Sequence, residues 1–397
     1  MESVLEKSAQ KVRDIDVNFK RYLYDKINWN DRLIILEGAR GVGKTTLLLQ
    51  HLKTSYGETD QVLYVSLDDI WFANHTMVEL ASDFVKLGGK AIYLDEVHKY
   101  PEWMREVKNI YDDYSGLKVV ITGSSSLHLS ESKADLSRRA MVYQLPELSL
   151  REYISLSTGD EIPVFSLEEI LKNHRKIATE LTASIKPLKW LNEYQLRGTY
   201  PFALESLDSF LIRLEKVMMI VLEVDLPAAL NIDFKSVQNL KKLLYVISTS
   251  APFKPNISNL SAKTGIARDT LLRYLHYLEQ ANLIMLLKSN KKGMSYLTKP
   301  EKIYLQNTSL MHVLSSENVN TGTLRETFFL NQLENVTEVF DHPTADFTIN
   351  GTYVFEIGWK KKKKKQLIGI DDGYVVSDDL EIGFQNKIPL WLFGFLY

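Results

Sequence analysis

The chain has 397 residues, of which 45% are hydrophobic and 25% charged, an ordinary composition for a globular protein of two or three domains. It contains no cysteine, which excludes a disulfide framework and a thiolate metal site. The net charge is −2, so any contact with nucleic acid would need a local basic patch. No apolar run is long enough to cross a membrane and the first residues lack a secretion signal, so we expect a cytoplasmic protein without a membrane partner.

The first informative segment in chain order is an apolar strand over residues 32–36 that leads into a glycine-rich loop. The loop fits the phosphate-binding pattern G-x-x-x-x-G-K-[ST], and a helix is predicted after it, up to Leu52. Glycines let backbone N–H groups turn inward around phosphate, the lysine reaches the β and γ phosphates, and the threonine hydroxyl can bind Mg²⁺. The pattern therefore predicts binding of ATP with Mg²⁺ through Gly38, Ala39, Arg40, Gly41, Val42, Gly43, Lys44, Thr45 and Thr46. We also expect Lys44 to take part in catalysis, whereas we expect Arg40 to stabilise the loop.

A short apolar run, Ala91–Leu94, predicts a buried strand of a parallel sheet and ends in an acidic pair. Sites in α/β proteins are built at the carboxyl ends of such strands. We expect Asp95 to bind the metal together with Thr45, and Glu96 to act as the general base that polarises the attacking water. The alternative is that the acidic pair only caps the next helix.

Strands alternate with helices through the first third of the chain, and three more strands are predicted over residues 61–67, 118–123 and 141–145. Residues 1–150 are therefore predicted to form an α/β P-loop ATPase domain with a parallel sheet between helices. Ser124, or less favourably Thr122, is a candidate γ-phosphate sensor, with an ordinary turn as the alternative. Arg139 is a candidate arginine finger for a neighbouring subunit, or else a solvated surface residue.

From residue 151 to about residue 230 the pattern changes to helices. Ser166–Glu169 fits a capping box, and a helical apolar period from Asp208 to Leu226 predicts a long helix. Gly198–Pro201 interrupts the helices. We predict that residues 151–230 form a helical lid or linker without chemistry of its own.

Residues 231–310 have the pattern of a winged helix-turn-helix. A short helix is expected to end at Gly265, a second helix to run from Arg268 to Gln280, and a strand over residues 283–287 to lead into a basic turn. The candidate contacts to DNA are Arg268, Arg273, Lys291 and Lys292. Winged helices also serve as packing modules, so DNA binding and a structural role both stay open.

The C-terminal part, residues 311–397, is predicted to form a small α+β domain with a hairpin at an Asn-Gly turn. Asp346 before the turn and Glu356 after it would suit a metal site of the restriction-endonuclease type. A two-residue turn pairs Ile349 with Thr352 and places the two carboxylates on opposite faces of the hairpin. Only a bulged or three-residue turn would bring them together, so we expect a nuclease-like domain without nuclease activity.

Two further features of this domain allow more than one interpretation. Lys360–Lys365 is a run of six lysines, typical of a solvated turn but also able to contact nucleic-acid phosphate. Ile388–Tyr397 is strongly apolar and must be buried in this chain or against a partner. We therefore expect a protein partner or self-association to use the C-terminal domain.

With these motifs assembled, the chain resembles, nearly end to end, a group of prokaryotic AAA-superfamily ATPases, most of them of unknown function. The resemblance rests on Glu37–Thr46, Tyr93–His98, Ile121–Ser126, Leu145–Tyr153, Gly198–Pro201 and Glu301–Leu305. It implies an AAA-like sheet with the sensor strand between the phosphate-loop strand and the acidic strand, then a winged helix and a restriction-endonuclease-like domain. It also implies that Arg139 occupies the place of a recurrent arginine. The chain departs from the group at Arg138, where glycine is usual, and at Gly358, where a nuclease would have lysine.

The leading hypothesis from the sequence is an ATPase that acts as a nucleotide-driven switch or small motor on or with DNA. The first alternative is a signalling or scaffold ATPase whose winged helix only packs and whose tail binds a protein. The second is an ATP-dependent nuclease. Salt-dependent DNA binding would separate the leading hypothesis from the first alternative.

Overall fold

A computed structural model describes residues 1–57, 59–124, 136, 138–250, 252, 254–290, 299–315, 319–361 and 365–397. The chain divides into two compact units. The first unit contains Met1–Glu147 and, from much later in the chain, Glu223–Ile232. The second contains Leu148–Leu222 and Asp233–Tyr397.

The first unit is built around a parallel sheet in which all strands except the edge strand β5 are buried. Its strands are β1 (Leu33–Gly38), β2 (Val62–Ser66), β3 (Ala91–Asp95), β4 (Lys118–Ser124) and β5 (Met141–Gln144). Over the described residues, five strands lie in the order β2-β3-β4-β1-β5, all parallel to their neighbours. The position of β4 between β1 and β3 confirms the predicted P-loop NTPase core and the strand order that the resemblance implies.

Helices of the first unit bury the apolar side chains of this sheet. They are α1 (Glu2–Asp14), α2 (Lys44–Tyr56), α3 (Met77–Lys86) and α4 (Trp103–Asp113), with 3₁₀ helices at Tyr22–Asp25, Ile70–Ala73 and Val97–Lys99. α3 begins at a capping box, in which Thr76 and Glu79 each accept the backbone N–H of the other. Sheet residues such as Leu33 and Val119 pack with helix residues such as Phe84 and Val107 in one fully buried cluster.

The second unit begins with helices α5 (Leu150–Thr158), α6 (Leu167–Thr182), α7 (Pro187–Arg197) and α8 (Phe210–Ile220), and a 3₁₀ helix at Pro201–Leu204. The capping box predicted at Ser166–Glu169 is confirmed at the start of α6. The helical period predicted from Asp208 to Leu226 is confirmed from Phe210 onward, but the helix is not uniform: α8 ends at Ile220 and continues as a π-helix, Val221–Asp225, and as the short helix α9 (Leu226–Leu230). Pro227 has no backbone N–H to continue the α-helical ladder through this point.

Glu223–Ile232 belongs to the first unit, and the chain returns to the second unit at Asp233. It then forms α10 (Phe234–Ser248), α11 (Ile257–Thr264), α12 (Arg268–Gln280), β6 (Ile284–Ser289) and β7 (Lys302–Leu305), with β6 and β7 antiparallel. α11 ends at Gly265 with a φ of 72°, the expected left-handed stop. This element order is the one predicted for a winged helix-turn-helix, and the winged-helix fold itself stays a prediction. The basic turn with Lys291 and Lys292 lies outside the described residues.

The remaining elements are α13 (Thr308–Leu314), α14 (Thr321–Leu333), β8 (Val339–Asp341), β9 (Phe347–Ile349), β10 (Tyr353–Trp359), β11 (Gly373–Asp378) and β12 (Lys387–Pro389), with 3₁₀ helices at Lys365–Leu367 and Leu390–Phe395. Within the described ranges they form, with β6 and β7, a seven-stranded mixed sheet in the order β12-β11-β10-β9-β8-β6-β7. One sheet therefore spans the residues predicted as a winged helix and as a C-terminal domain.

The apolar C-terminal segment was expected to be buried either in this chain or against a partner, and it is buried within the second unit. Trp391, Phe393 and Tyr397 are fully buried. The backbone carbonyl of Tyr397 accepts hydrogen bonds from Ser149 Oγ at 2.7 Å and from Arg151 Nε at 2.8 Å. Among the helices that the structure describes, none is long and apolar enough to span a bilayer.

Candidate active site

The phosphate loop connects β1 to α2 and has the backbone shape that its glycines permit. Gly41 and Gly43 have φ values of 88° and 95°, in the left-handed region that L side chains rarely adopt. A Cβ at Gly38 would lie 2.3 Å from the carbonyl oxygen of Leu145. Substitution at any of the three glycines would therefore strain or displace the loop.

Lys44 points into this loop from the first turn of α2. Its Nζ donates hydrogen bonds of 2.9 Å to the backbone carbonyls of Gly38 and Ala39, and its side chain is buried. Burial lowers the pKa of Lys44, while the nearby carboxylates of Glu96 and Asp95 oppose that shift. The ammonium group is thus held at the place where a bound phosphate would meet it.

A buried arginine, Arg21, donates hydrogen bonds to the phosphate loop and to the segment after β5. Arg21 Nη1 donates to the carbonyl of Val42 at 2.5 Å, and Nη2 donates to the carbonyls of Pro146 at 2.8 Å and Glu147 at 3.0 Å. The guanidinium therefore ties the loop to the segment after β5. Arg21 lies outside every motif identified in the sequence.

Asp95, at the end of β3, is surrounded by hydroxyl donors. Its Oδ2 accepts from Thr45 Oγ1 at 2.7 Å and from Tyr64 OH at 2.8 Å. Its Oδ1 accepts from Thr122 Oγ1. The structure thus brings Thr45 and Asp95, the two predicted metal ligands, into direct contact, and it adds Tyr64, which the sequence analysis did not consider.

Glu96 follows in a backbone conformation that is uncommon for its type, with a φ of 56°. Its N–H donates to Thr122 Oγ1 at 3.1 Å, which holds this turn against β4. Burial raises the pKa of the Glu96 carboxyl, the Lys44 ammonium lowers it, and Asp95 raises it again. The result is a carboxylate more basic than an exposed glutamate.

His98 lies beside Glu96 and was also missed as a site residue. Its Nδ1 accepts the backbone N–H of Ser124 at 3.4 Å, and its Nε2 lies 3.4 Å from Glu96 Oε2. Burial lowers the pKa of His98 to about 4, although Asp225 opposes that shift. A neutral ring with Nδ1 as acceptor has its proton on Nε2, which makes no hydrogen bond among the described residues.

Asp225 reaches this site from the π-helix, about 130 residues after the acidic pair. Both of its carboxylate oxygens lie 3.4 Å from Arg40 Nη1. Its Oδ1 lies 3.8 Å from His98 Nε2 and 3.8 Å from Lys99 Nζ. Asp225 lies within residues 151–230, the predicted helical lid, which was expected to carry no chemistry of its own.

The two remaining catalytic candidates lie in different surroundings. Ser124 is buried at the end of β4, where it pairs in register with Gly38 at the start of the loop. Arg139 makes a paired contact with Asp112, with Nε to Oδ1 at 3.0 Å and Nη2 to Oδ2 at 3.1 Å. Ser124 is thus beside the loop, whereas Arg139 is engaged on the helix α4.

A cavity of about 380 Å³ lies beside the loop, and its lining includes Lys7, Arg40, Thr45, Tyr64, Asp95 and Glu96. The cavity is open to the hydroxyl and carboxylate groups that would meet a metal-bound phosphate. The glycine-shaped loop, the inward Lys44 and the Thr45–Asp95 pair together fit ATP with Mg²⁺.

In the second unit, the predicted hairpin register is wrong. The structure pairs Ile349 with Tyr353 and Phe347 with Phe355, across a three-residue connection with positive φ at Asn350. Thr352 instead donates its N–H to the carbonyl of Ile349. The turn is therefore the three-residue alternative.

This register brings the hairpin carboxylates to one region instead of opposite faces. Burial is the largest cause that raises the pKa of Glu326, on α14, to about 7; Asp346 and Glu356 raise it further, and Lys302 opposes the shift. Tyr304 OH donates to Glu326 Oε2 at 2.7 Å. No motif in the sequence connects Glu326 with these two carboxylates.

The predicted DNA contacts are described in part. Arg268 and Arg273 are exposed on α12. Lys291 and Lys292 lie outside the described residues, as do Lys362, Lys363 and Lys364 of the lysine run.

Comparisons with known proteins find two family models that match parts of the chain. Residues 30–154 match the family model described as AAA domain, and residues 188–321 match a domain of unknown function, DUF8612. An uncharacterized protein of Methanocaldococcus jannaschii is 26% identical, in an alignment covering 97% of this chain and 88% of that protein.

Similar solved structures share little sequence with the chain. The Hsp104–ADP complex of S. cerevisiae is 15% identical with a TM-score of 0.33, over 70% of this chain and 41% of that one. PCH-2 of C. elegans is 16% identical with a TM-score of 0.27, over 69% of each chain. AMPPCP-bound DnaA of Aquifex aeolicus is 12% identical with a TM-score of 0.26, over 65% of this chain and 84% of that one.

The AAA match covers the phosphate loop, the acidic pair and the strand β4 between them. Residues 30–154 are therefore similar to AAA domains, and this similarity, together with the geometry of the loop, supports an ATP-binding ATPase.

Proposed function

We propose that the first unit binds ATP with Mg²⁺ and hydrolyses it. The hydrogen bond of 2.7 Å between Thr45 Oγ1 and Asp95 Oδ2 is the main support, because it joins the end of the phosphate loop to the end of the acidic strand. In P-loop NTPases this hydroxyl and this carboxylate hold Mg²⁺ between them. The carbonyl contacts of Lys44 would be exchanged for contacts to the β and γ phosphates.

Glu96 is the proposed general base. It takes a proton from water as the water oxygen bonds to the γ-phosphorus, and the bond from that phosphorus to the bridging oxygen breaks so that ADP leaves. Burial raises the pKa of Glu96 and makes it a better proton acceptor, while the adjacent Lys44 opposes that rise. Neutral His98 packs beside this carboxylate, with its Nε2 3.4 Å from Glu96 Oε2.

Ser124 and Arg139 complete the proposed scheme. Ser124 lies beside the start of the loop, where a bound γ-phosphate would be within reach of β4. Arg139 acts, in this proposal, as an arginine finger toward a second copy of the chain after leaving Asp112. The finger requires an oligomer, so hydrolysis per chain would rise with protein concentration.

The biological action that we propose is a nucleotide-driven switch or motor on DNA, which the exposed Arg268 and Arg273 on α12 support. The test is steady-state ATP hydrolysis at low salt with and without double-stranded DNA. Stimulation by DNA that falls with added salt supports the proposal. Hydrolysis indifferent to DNA redirects the proposal to a protein-directed switch.

The same assay contains its catalytic controls. Lys44→Ala is expected to lose ATP binding, and Glu96→Gln to keep binding while hydrolysis falls by roughly 10²-fold or more. Glu102→Gln is the matched control, because Glu102 is an exposed glutamate that pairs with Arg105. Equal hydrolysis by Glu96→Gln and Glu102→Gln would exclude Glu96 as the base.

A further inference from the structure

Asp225 is a buried carboxylate that the hydrolysis scheme does not use. Its side chain is 0% exposed, and it lies in the only part of the first unit that comes from beyond Glu147 in the described chain. It ends a π-helix, a rare geometry that is frequent at functional sites. The segment around it, Glu223–Ile232, is continuous at both ends with the second unit.

The two cations near this buried charge, Arg40 and Lys99, both belong to the nucleotide site, as does the neutral ring of His98. Arg40 lies in the phosphate loop and contacts both Asp225 oxygens at 3.4 Å, with 30% of its own side chain exposed. Lys99 and His98 follow the acidic pair and lie 3.8 Å from Asp225 Oδ1. The contacts are longer than usual charge-assisted hydrogen bonds, which lie near 2.8 Å.

Arg40 would have to weaken its ion pair with Asp225 in order to bind a phosphate. It also lines the cavity beside Thr45 and Asp95, which is where the proposed function places the γ-phosphate. Bound ATP with Mg²⁺ has net negative charge and three strongly accepting oxygens on its terminal phosphate. Its arrival would draw Arg40 and Lys99 away and would repel the Asp225 carboxylate, which is buried and costly to leave unpaired.

We propose that Asp225 is a nucleotide-sensitive latch: without ATP it pairs with Arg40 of the phosphate loop, and the γ-phosphate of ATP displaces it and releases the segment Glu223–Ile232. The latch rests on the proposed function, since it requires ATP at this loop. It provides a route by which the state of the nucleotide changes a segment that is joined to α8 and α10. By linkage, the pair must also weaken ATP binding by the factor by which ATP weakens the pair.

The test is hydrogen–deuterium exchange of the full chain with and without AMPPCP and Mg²⁺, combined with calorimetric titration of the same samples. We expect amides of the loop and of α2 to exchange more slowly with nucleotide, and amides of Glu223–Ile232 to exchange several-fold faster. The opposite signs distinguish release of the segment from general stabilisation. This comparison uses the wild-type chain and so does not depend on any variant folding.

Variants then test the charge itself. Asp225→Asn keeps the shape and removes the charge, so we expect AMPPCP to bind roughly 5- to 20-fold more tightly and exchange in the segment to be fast with or without nucleotide. Asp233→Asn is the matched control, because Asp233 is an exposed helix cap just beyond the segment, and asparagine caps equally well. It should behave as the wild type.

Each outcome decides between the two proposals. Calorimetric binding with unchanged or slower exchange at Glu223–Ile232 would overturn the latch and leave ATP binding intact. The latch would also be overturned by unchanged or weaker AMPPCP binding in Asp225→Asn, which would mean that the carboxylate only supports the fold. Absence of any calorimetric binding by the wild type would overturn the proposed function, and the latch with it.

Discussion

The hydroxyl of Tyr64 donates a 2.8 Å hydrogen bond to Asp95 Oδ2, the same carboxylate oxygen that accepts from Thr45. Tyr64 lies on β2 and Asp95 at the end of the adjacent strand β3, so the bond depends on the pairing of two parallel strands. A carboxylate that binds a metal is usually oriented by such a partner, and loss of the partner commonly weakens metal binding by 10- to 100-fold.

We therefore predict that Tyr64→Phe raises the Mg²⁺ concentration for half-maximal ATP hydrolysis roughly tenfold, with little change at saturating Mg²⁺. The measurement is hydrolysis rate against free Mg²⁺. Tyr93→Phe is the matched control, because Tyr93 is a fully buried tyrosine on β3 whose hydroxyl bonds to His51 instead. An equal shift in both variants would show that the effect is general destabilisation.

Arg21 should be irreplaceable by lysine, because its forked guanidinium reaches three backbone carbonyls on two segments. We predict that Arg21→Lys lowers the free energy of unfolding by about 2 kcal/mol and weakens ATP binding. Urea unfolding and titration with AMPPCP would measure the two effects. Arg13→Lys, on the exposed side of α1, should change neither. Unaltered ATP affinity in Arg21→Lys would mean that the loop keeps its shape without this support.

Glu326 should make the protein less stable as pH rises. Its pKa in the folded chain is about 7, above its usual value of 4.5, so the folded state binds more protons between these values. Its contribution to the free energy of unfolding is therefore full below pH 4.5 and falls, by up to about 3 kcal/mol, as pH rises through 7. The groups facing it are Tyr304, Lys302, Asp346 and Glu356.

We predict that Glu326→Gln removes most of this loss, because a neutral amide can still accept the Tyr304 hydroxyl. Urea unfolding at pH 5.5 and pH 8 would show a smaller difference in the variant than in the wild type. Glu338→Gln, an exposed glutamate of the same unit, should leave the difference unchanged. A wild-type stability that does not fall over this range would contradict the raised pKa.

DNA binding, if it uses α12, should depend on Arg268 and Arg273. Both are exposed, and each phosphate contact that is lost should reduce the slope of log affinity against log salt by roughly one. We predict weaker binding of duplex DNA by Arg268→Ala and Arg273→Ala in anisotropy titrations at several salt concentrations. Arg175→Ala, an exposed arginine on α6, is the control. Identical slopes in all variants would place any DNA contact elsewhere.

The hairpin at Asn350 shows how local rules can mislead. An Asn-Gly pair favours a two-residue turn, and that turn sets a register with Asp346 and Glu356 on opposite faces. The structure uses three residues, because Phe347 and Phe355 pair and are fully buried. Burial of these rings is a property of the whole sheet, which the turn pattern does not contain.

Asp225 was beyond sequence reasoning for a related reason. Its sequence context is an apolar helix, and nothing near it in the chain indicates phosphate or metal. Its role depends on Arg40, which lies 185 positions earlier. A contact between residues so far apart in the sequence depends on the tertiary fold and cannot be read from any local pattern.

The sequence by itself determined the phosphate loop, the acidic pair and the parallel sheet that holds them. These features are local, because glycine conformations, the reach of Lys44 and the apolar period of each strand all act within a few residues. The tertiary structure alone decided the partners of those residues: Tyr64 and Thr122 on Asp95, His98 beside Glu96, Arg21 behind the loop and Asp225 on Arg40. The reason is that a buried polar group is satisfied by the donors and charges that the packed chain brings next to it, and their positions depend on the fold as a whole.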